Sequence, residues 1–192
     1  MRKDHEKVIL TDVDGVLLNW GYAFDVWMKQ HGHEKIKDVY TVSDAYGITR
    51  EAGKRLTRQF NESAVIGFLP PLRDAIHYVR LLHEKYGYVF HAITSLSLDP
   101  HAGELRTMCL KKLFGETAFE KFVYLDTGAD KDEALLPYKD TGFLWVEDKV
   151  ENALVGDNLG LDSVVMEHGY NMNDCELPLM KGWKDIVEYL EG

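Results

Sequence analysis

Five short apolar runs alternate with helical patterns along this chain, and no other feature constrains the fold as strongly. The predicted strands are about Lys7–Asp12, Tyr88–Thr94, Lys121–Leu125, Gly142–Glu147 and Leu161–Met166. Runs of this length, bounded by Gly, Pro or Asp, read as buried strands. Pro70-Pro71 opens a helix in which Leu72, Ala75, Ile76, Val79 and Leu82 recur at helical spacing, and Gly87 ends it. Asp99 is the N-cap of a helix with Pro100 at its first position, running to about Phe114. Lys131 opens a short helix, another covers about Val150–Leu159 before Gly160, and Lys181–Leu190 is a final amphipathic helix. Strands alternating with helices predict a parallel sheet with helices on both faces.

One stretch breaks the alternation. From Asn19 the pattern is helical, with Tyr22, Phe24, Val26, Trp27 and Met28 ahead of His31-Gly32, a plausible stop. Thr49 suits the N-cap of a second helix over Arg50–Asn61. Residues 19–67 therefore read as a small helical cap inserted into a core made of 1–18 and 68–192. A chain of 192 residues suits one domain with a modest insertion, and it is long enough to bury a sizeable core.

In a parallel sheet all strands end at one edge, and ligands bind beyond it. The first strand runs into Asp12-Val13-Asp14-Gly15. Asp and Gly after a strand are ordinary turn residues. Two adjacent carboxylates, however, repel each other and are costly to desolvate, which calls for a hard cation with oxygen ligands such as Mg²⁺. The other strand ends decide between the two. The second delivers Thr94 and Ser95, the loop after the third delivers Lys131, and the fourth delivers Glu147 and Asp148. Carboxylates for a metal, a hydroxyl and an ammonium together suit a phosphate group.

These motifs, in this order, resemble the haloacid dehalogenase (HAD) superfamily of phosphotransferases: Asp12-Val13-Asp14-Gly15-Val16-Leu17, Ile93-Thr94-Ser95, Lys131 and Glu147-Asp148. The resemblance spans nearly the whole chain and implies a Rossmann-like core with a cap. A narrower resemblance is to the 5'(3')-deoxyribonucleotidases. It rests on Thr94-Ser95, Asp130-Lys131, the acidic pair running into Lys149, and the closing Gly182-Trp183-Lys184-Asp185-Ile186. That family usually carries two Asp in the fourth motif, where this chain has Glu147-Asp148.

The resemblance implies a role for each residue. Asp12 is the expected nucleophile and Asp14 the acid and base. Thr94 holds the transferring phosphate and Lys131 neutralises it. The metal ligands are the Asp12 and Asp148 carboxylates and the Asp14 carbonyl, with Glu147 supporting through water. Ser95 and two aromatics, Trp20 and Phe68, are the expected substrate contacts, the rings stacking on a base. Asp157, in Gly156-Asp157-Asn158-Leu159-Gly160, also fits an alternative form of the fourth motif. That form needs a strand before it, whereas Asn152–Val155 reads as helix.

The expected substrate is a small phosphorylated molecule, most of all a (deoxy)nucleoside monophosphate; the alternative is a phosphatase or phosphomutase acting on a sugar phosphate or other small phosphometabolite, and the non-enzyme alternative is an inactive nucleotide-binding module of the same fold. The formal net charge of −10 argues against nucleic acid as a partner, and with it a polynucleotide 3'-phosphatase. No apolar run approaches a membrane span. Met1–Lys7 is charged without an apolar core, unlike a secretory signal. A cytoplasmic protein with Cys109 and Cys175 reduced is the expectation. A homodimer contact is compatible with so small a cap. His91, within a strand, reads as a hydrogen-bonded core histidine.

Overall fold

The computed structural model describes residues 7–172 and 175–192. The stretch Met1–Glu6, and with it most of the segment compared above with a secretory signal, lies outside the described residues.

The chain begins with β1 (Val8–Thr11), followed by α1 (Trp20–Gln30), α2 (Val42–Tyr46), α3 (Arg50–Asn61) and a 3₁₀ turn over Ala64–Phe68. Next come α4 (Ala75–Glu84), β2 (Val89–Ser95), α5 (Pro100–Phe114) and β3 (Phe119–Leu125). A short α6 (Asp132–Leu135) runs into a 3₁₀ turn over Leu136–Tyr138, then β4 (Leu144–Glu147) and α7 (Val150–Asn158). The chain closes with β5 (Asp162–Met166), β6 (Leu179–Met180) and α8 (Trp183–Glu191).

Among the described residues the six strands are all parallel, in the order β3-β2-β1-β4-β5-β6. The chain winds outward from β1 through β2 to β3, then restarts on the other side with β4. The topological switch point therefore lies between β1 and β4, where open α/β sheets bind ligands. Central strands of such a sheet are covered on both faces and must be apolar throughout. Accordingly Ile9, Leu10, Ala92, Ile93, Trp145 and Val146 are all fully buried.

The sequence signals act locally as expected at several helix starts. Asn19 accepts from Tyr22 N–H, Thr49 from Ala52 N–H and Asp99 from His101 N–H, each satisfying an otherwise orphaned donor. One start differs from expectation. The helix expected from Pro70-Pro71 begins at Ala75, because this segment pairs with the chain leaving β1. Asn19 N–H donates to Pro70 carbonyl, and Leu72 N–H to Leu17 carbonyl. Asp74 does not cap α4 with its side chain. Its carboxylate accepts from Trp183 and Lys184 N–H instead, fixing the start of α8.

The helices between β1 and α4 pack through an aromatic cluster. Phe24 stacks on Trp20, and Phe60 meets Trp20, Phe24 and Trp27 edge-on. Three polar contacts tie α3 and its end to the sheet's loops. Asn61 Nδ2 donates to Leu96 carbonyl at 2.8 Å, Ser97 Oγ donates to Glu62 at 2.6 Å, and Arg58 pairs with Asp126 at 3.0 Å. His91 is hydrogen-bonded to Tyr138 and Glu120. Among the described residues, no helix is long and apolar enough to cross a membrane.

Candidate active site

Asp12 follows the last residue of β1 and is held against β4, its N–H donating to Val146 carbonyl at 2.9 Å. The chain then turns sharply, with Leu17 and Leu18 N–H both donating to Val13 carbonyl. Gly15 sits in this turn at φ 75°, a left-handed conformation that L side chains rarely adopt. A Cβ at Gly15 would lie 2.5 Å from Asp148 Oδ2, so the glycine also makes room for the β4 carboxylate.

Lys131 reaches this edge from the turn before α6. Its Nζ lies 2.8 Å from Asp12 Oδ2 and 2.6 Å from Glu147 Oε1, and the side chain is sealed from solvent. Glu147 takes four hydrogen bonds. Oε1 accepts from Lys131 and Asn152 Nδ2, and Oε2 from the N–H groups of Asp148 and Lys149. Both of its oxygens are occupied, which assigns Glu147 to holding Lys131 and the start of α7 in place.

Burial pushes the Asp12 carboxyl up to about 6, against the opposing pull of Lys131. Burial, reinforced by the charges of Glu147 and Asp12, raises Asp148 well above the usual carboxylate range. Glu147 moves the other way: burial alone would raise it, but Lys131 and its other donors carry it below the ordinary value.

Carboxylate oxygens of Asp12, Glu147 and Asp148 all lie within 4.8 Å of one another. Four carboxylates, counting Asp14, face two cations here, Lys131 and Arg106. Buried charge in that imbalance is costly. Hard oxygen donors with a formal excess of two negative charges fit a divalent cation, whose charge would favour the ionised form of the raised carboxyls.

The wall beside Asp148 comes from the loop after β5, which carries no motif or period that would mark it in advance. Tyr170 O–H donates to Asp148 Oδ2, and Tyr40 meets the Tyr170 ring edge-on. Asn171 Nδ2 donates to the carbonyls of Asp148 and Met166, and His168 Nε2 pairs with Gly15 carbonyl at 2.7 Å. These contacts join the β1 and β4 turns to each other.

The remaining expected residues are placed as follows. Thr94, near the end of β2, is buried and its hydroxyl has no hydrogen-bond partner. Ser95, pointing to the other face, donates to Ala129 carbonyl at 2.8 Å. The Asp14 carboxylate turns to Arg106 of α5, which pairs with both of its oxygens. One face of Trp20 is covered by Phe24, and its indole N–H donates to Asn61. Phe68 is 66% exposed at the end of its 3₁₀ turn. Asp157 is exposed in the last turn of α7. That helix leads away from the carboxyl edge to the start of β5, so Asp157 is remote from the acidic cluster.

No family model matches the chain. An uncharacterized 32.4 kDa protein of Enterobacteria phage T4 is 29% identical over 133 residues, which cover 65% of this chain and 47% of the relative. The matched segment thus spans about half the length of that protein. Among solved structures, a haloacid dehalogenase-like hydrolase of Streptococcus pneumoniae superposes with a TM-score of 0.65 at 14% identity, covering 96% of this chain and 98% of the other. The HAD-hydrolase YfnB of Bacillus subtilis, solved with magnesium, gives 0.63 at 13% identity over the whole of both chains. The L-2-haloacid dehalogenase of Xanthobacter autotrophicus, solved with covalently bound chloropropionic acid, gives 0.63 at 10% identity, covering 97% of this chain and 99% of the other. The chain has the HAD-like Rossmann-type fold.

Proposed function

We propose that this protein is a HAD-type phosphomonoester hydrolase that works through an aspartyl-phosphate on Asp12 with a bound Mg²⁺. The observation that carries the reading is the buried group at the β1–β4 switch point, Asp12 paired with Lys131 and facing Asp148. The orphan hydroxyl of Thr94, on the adjoining strand β2, supports it, because a buried hydroxyl without a partner suits a ligand oxygen.

In this reading residues 19–67 form the cap over the site. An Asp12 carboxylate oxygen attacks phosphorus. The bond to the leaving oxygen breaks, and that oxygen takes the electron pair and a proton from Asp14. Water then attacks phosphorus and gives a proton to Asp14, and the Asp12–phosphorus link breaks with its electron pair returning to the carboxylate. Thr94 hydrogen-bonds a phosphate oxygen, and Lys131 balances charge that develops on the phosphoryl group. The Asp12 and Asp148 carboxylates and the Asp14 carbonyl would hold a magnesium ion, whose charge shields the phosphate oxygens from the carboxylates.

Two of the structural neighbours suggest different chemistry, a magnesium-bound hydrolase and a dehalogenase carrying a covalent adduct. The acidic cluster favours the first. A halide departs without a proton or a metal, and a surplus of carboxylates would repel it. The proposed substrate is a (deoxy)nucleoside monophosphate, on the deoxyribonucleotidase resemblance; a sugar phosphate is the second choice. A phosphate-release screen over nucleotides and sugar phosphates with Mg²⁺ tests both levels. Release from nucleotides supports the full reading, release from sugar phosphates alone moves the substrate, and no release from any monoester rejects the activity.

A further inference from the structure

We infer that Arg106 is a positioning residue for Asp14, fixing the acid–base carboxylate through a buried two-pronged ion pair from α5. The inference rests on the hydrolase reading above. Arg106 Nη1 donates to Asp14 Oδ1 at 2.7 Å and Nη2 to Oδ2 at 3.3 Å. The arginine side chain is 0% exposed, and that of Asp14 is 20% exposed. The pair thus has one closed side, towards α5, and one open side.

A structural role alone explains this pair poorly. A buried ion pair is weak evidence for stability, because desolvating two charges offsets most of their attraction. Here the satisfaction is also incomplete, since Arg106 Nε is buried without a partner. Among the described residues, Asp14 is the carboxylate that pairs with this guanidinium. A planar fork on both carboxylate oxygens sets the plane and direction of the group, which one ammonium point charge does not. Fixed direction is what proton transfer requires, because a misplacement of about 1 Å can cost about 10²-fold in rate.

The consequence divides between the two steps. Protonation of the leaving oxygen matters for an alkyl monoester, whose alkoxide is a poor leaving group. It matters little for an acyl phosphate, which releases a stable carboxylate. Activation of water in the second step is common to both. Loosening Asp14 should therefore block an alkyl monoester at the first step and an acyl phosphate at the second.

The test compares Arg106→Lys and Arg106→Met with wild type, using a nucleoside monophosphate, glycerol phosphate and acetyl phosphate, each with Mg²⁺. The expected result is a fall of about 10²-fold in turnover of the alkyl esters without phosphoenzyme. With acetyl phosphate, phosphorylated Asp12 should accumulate and be visible by mass spectrometry after acid quench. The Arg106→Lys variant keeps the charge and loses the fork, so it should show the same pattern even if Arg106→Met folds badly. Wild-type turnover in Arg106→Lys would overturn the inference, as would an equal loss on all substrates with no phosphoenzyme. Absence of turnover in wild type would instead count against the hydrolase reading itself.

Discussion

Lys131 Nζ lies 2.6 Å from Glu147 Oε1, and both side chains are closed off from solvent. The same ammonium reaches Asp12, so one cation serves two buried carboxylates. Replacing Lys131 with Met leaves both charges uncompensated. Removing one partner of a buried pair costs about 3–5 kcal/mol, so the Tm should fall by many degrees. Phosphatase turnover should drop by about 10²–10³-fold. An unchanged Tm would mean that the ion pair is not formed in solution.

The pH dependence of stability follows from the raised groups. Asp12 moves from the ordinary 3.8 to about 6, and Asp148 also rises, both first through burial. A group raised in the folded state favours folding at low pH, and that contribution is lost as pH climbs through its folded value. Asp14, raised by burial, acts in the same sense, while Glu147, lowered on balance, and His168, lowered by burial, act in the opposite one. The metal-free protein should therefore lose stability as pH rises from about 4 past 6. Added Mg²⁺ should raise Tm more at pH 7.5 than at pH 5, which scanning fluorimetry reads directly. An equal gain at both values would contradict this account.

Gly15 offers a separate test of the metal site. An Ala there carries the cost of φ 75° and places its methyl against Asp148 Oδ2. The carboxylate must move, so Gly15→Ala should weaken Mg²⁺ binding by at least tenfold, measured by calorimetry. Unaltered affinity would show that Asp148 is not a ligand.

Trp20 and Phe68, the two expected base-stacking residues, are set differently. Trp20 is half-buried and packs in the aromatic cluster, so Trp20→Ala should lower Tm whatever the substrate. Phe68 is exposed, so Phe68→Ala should leave Tm nearly unchanged. If it contacts a base, KM for a nucleotide should rise while KM for acetyl phosphate stays fixed. A nucleotide KM equal to wild type would remove Phe68 from the substrate site.

The parts of this fold legible in the sequence are those with a strong local signature. β1, β2, β4 and β5 are largely apolar runs with polar ends, whereas β3 carries the exposed Glu120 and Lys121 and begins at Phe119, two residues ahead of the expected start. Asn19, Thr49 and Asp99 are side-chain caps within three residues of their partners. The residues at the carboxyl edge were legible because parallel strands bring Asp12, Thr94 and Glu147-Asp148 together without further assumption. What was missed has no local sign. α2 has five residues and β6 two, too few to carry a period. Arg106 sits mid-helix near Glu104 and Lys111, where an arginine reads as solvated; its partner is 92 residues away. Tyr170 and Asn171 reach Asp148 from an irregular loop. Asp74 stands where a helix begins, yet it caps one more than a hundred residues later.

Asp12 is the residue proposed to carry the phosphoryl group. Asp14→Asn should slow hydrolysis of that intermediate more than its formation from an acyl phosphate. Mixing this variant with acetyl phosphate and Mg²⁺, quenching in acid and mapping peptides by mass spectrometry should find phosphate on Asp12, absent in the Asp12→Asn, Asp14→Asn double variant. Phosphate on another residue, or Asp12→Asn retaining wild-type phosphate release, would contradict the account.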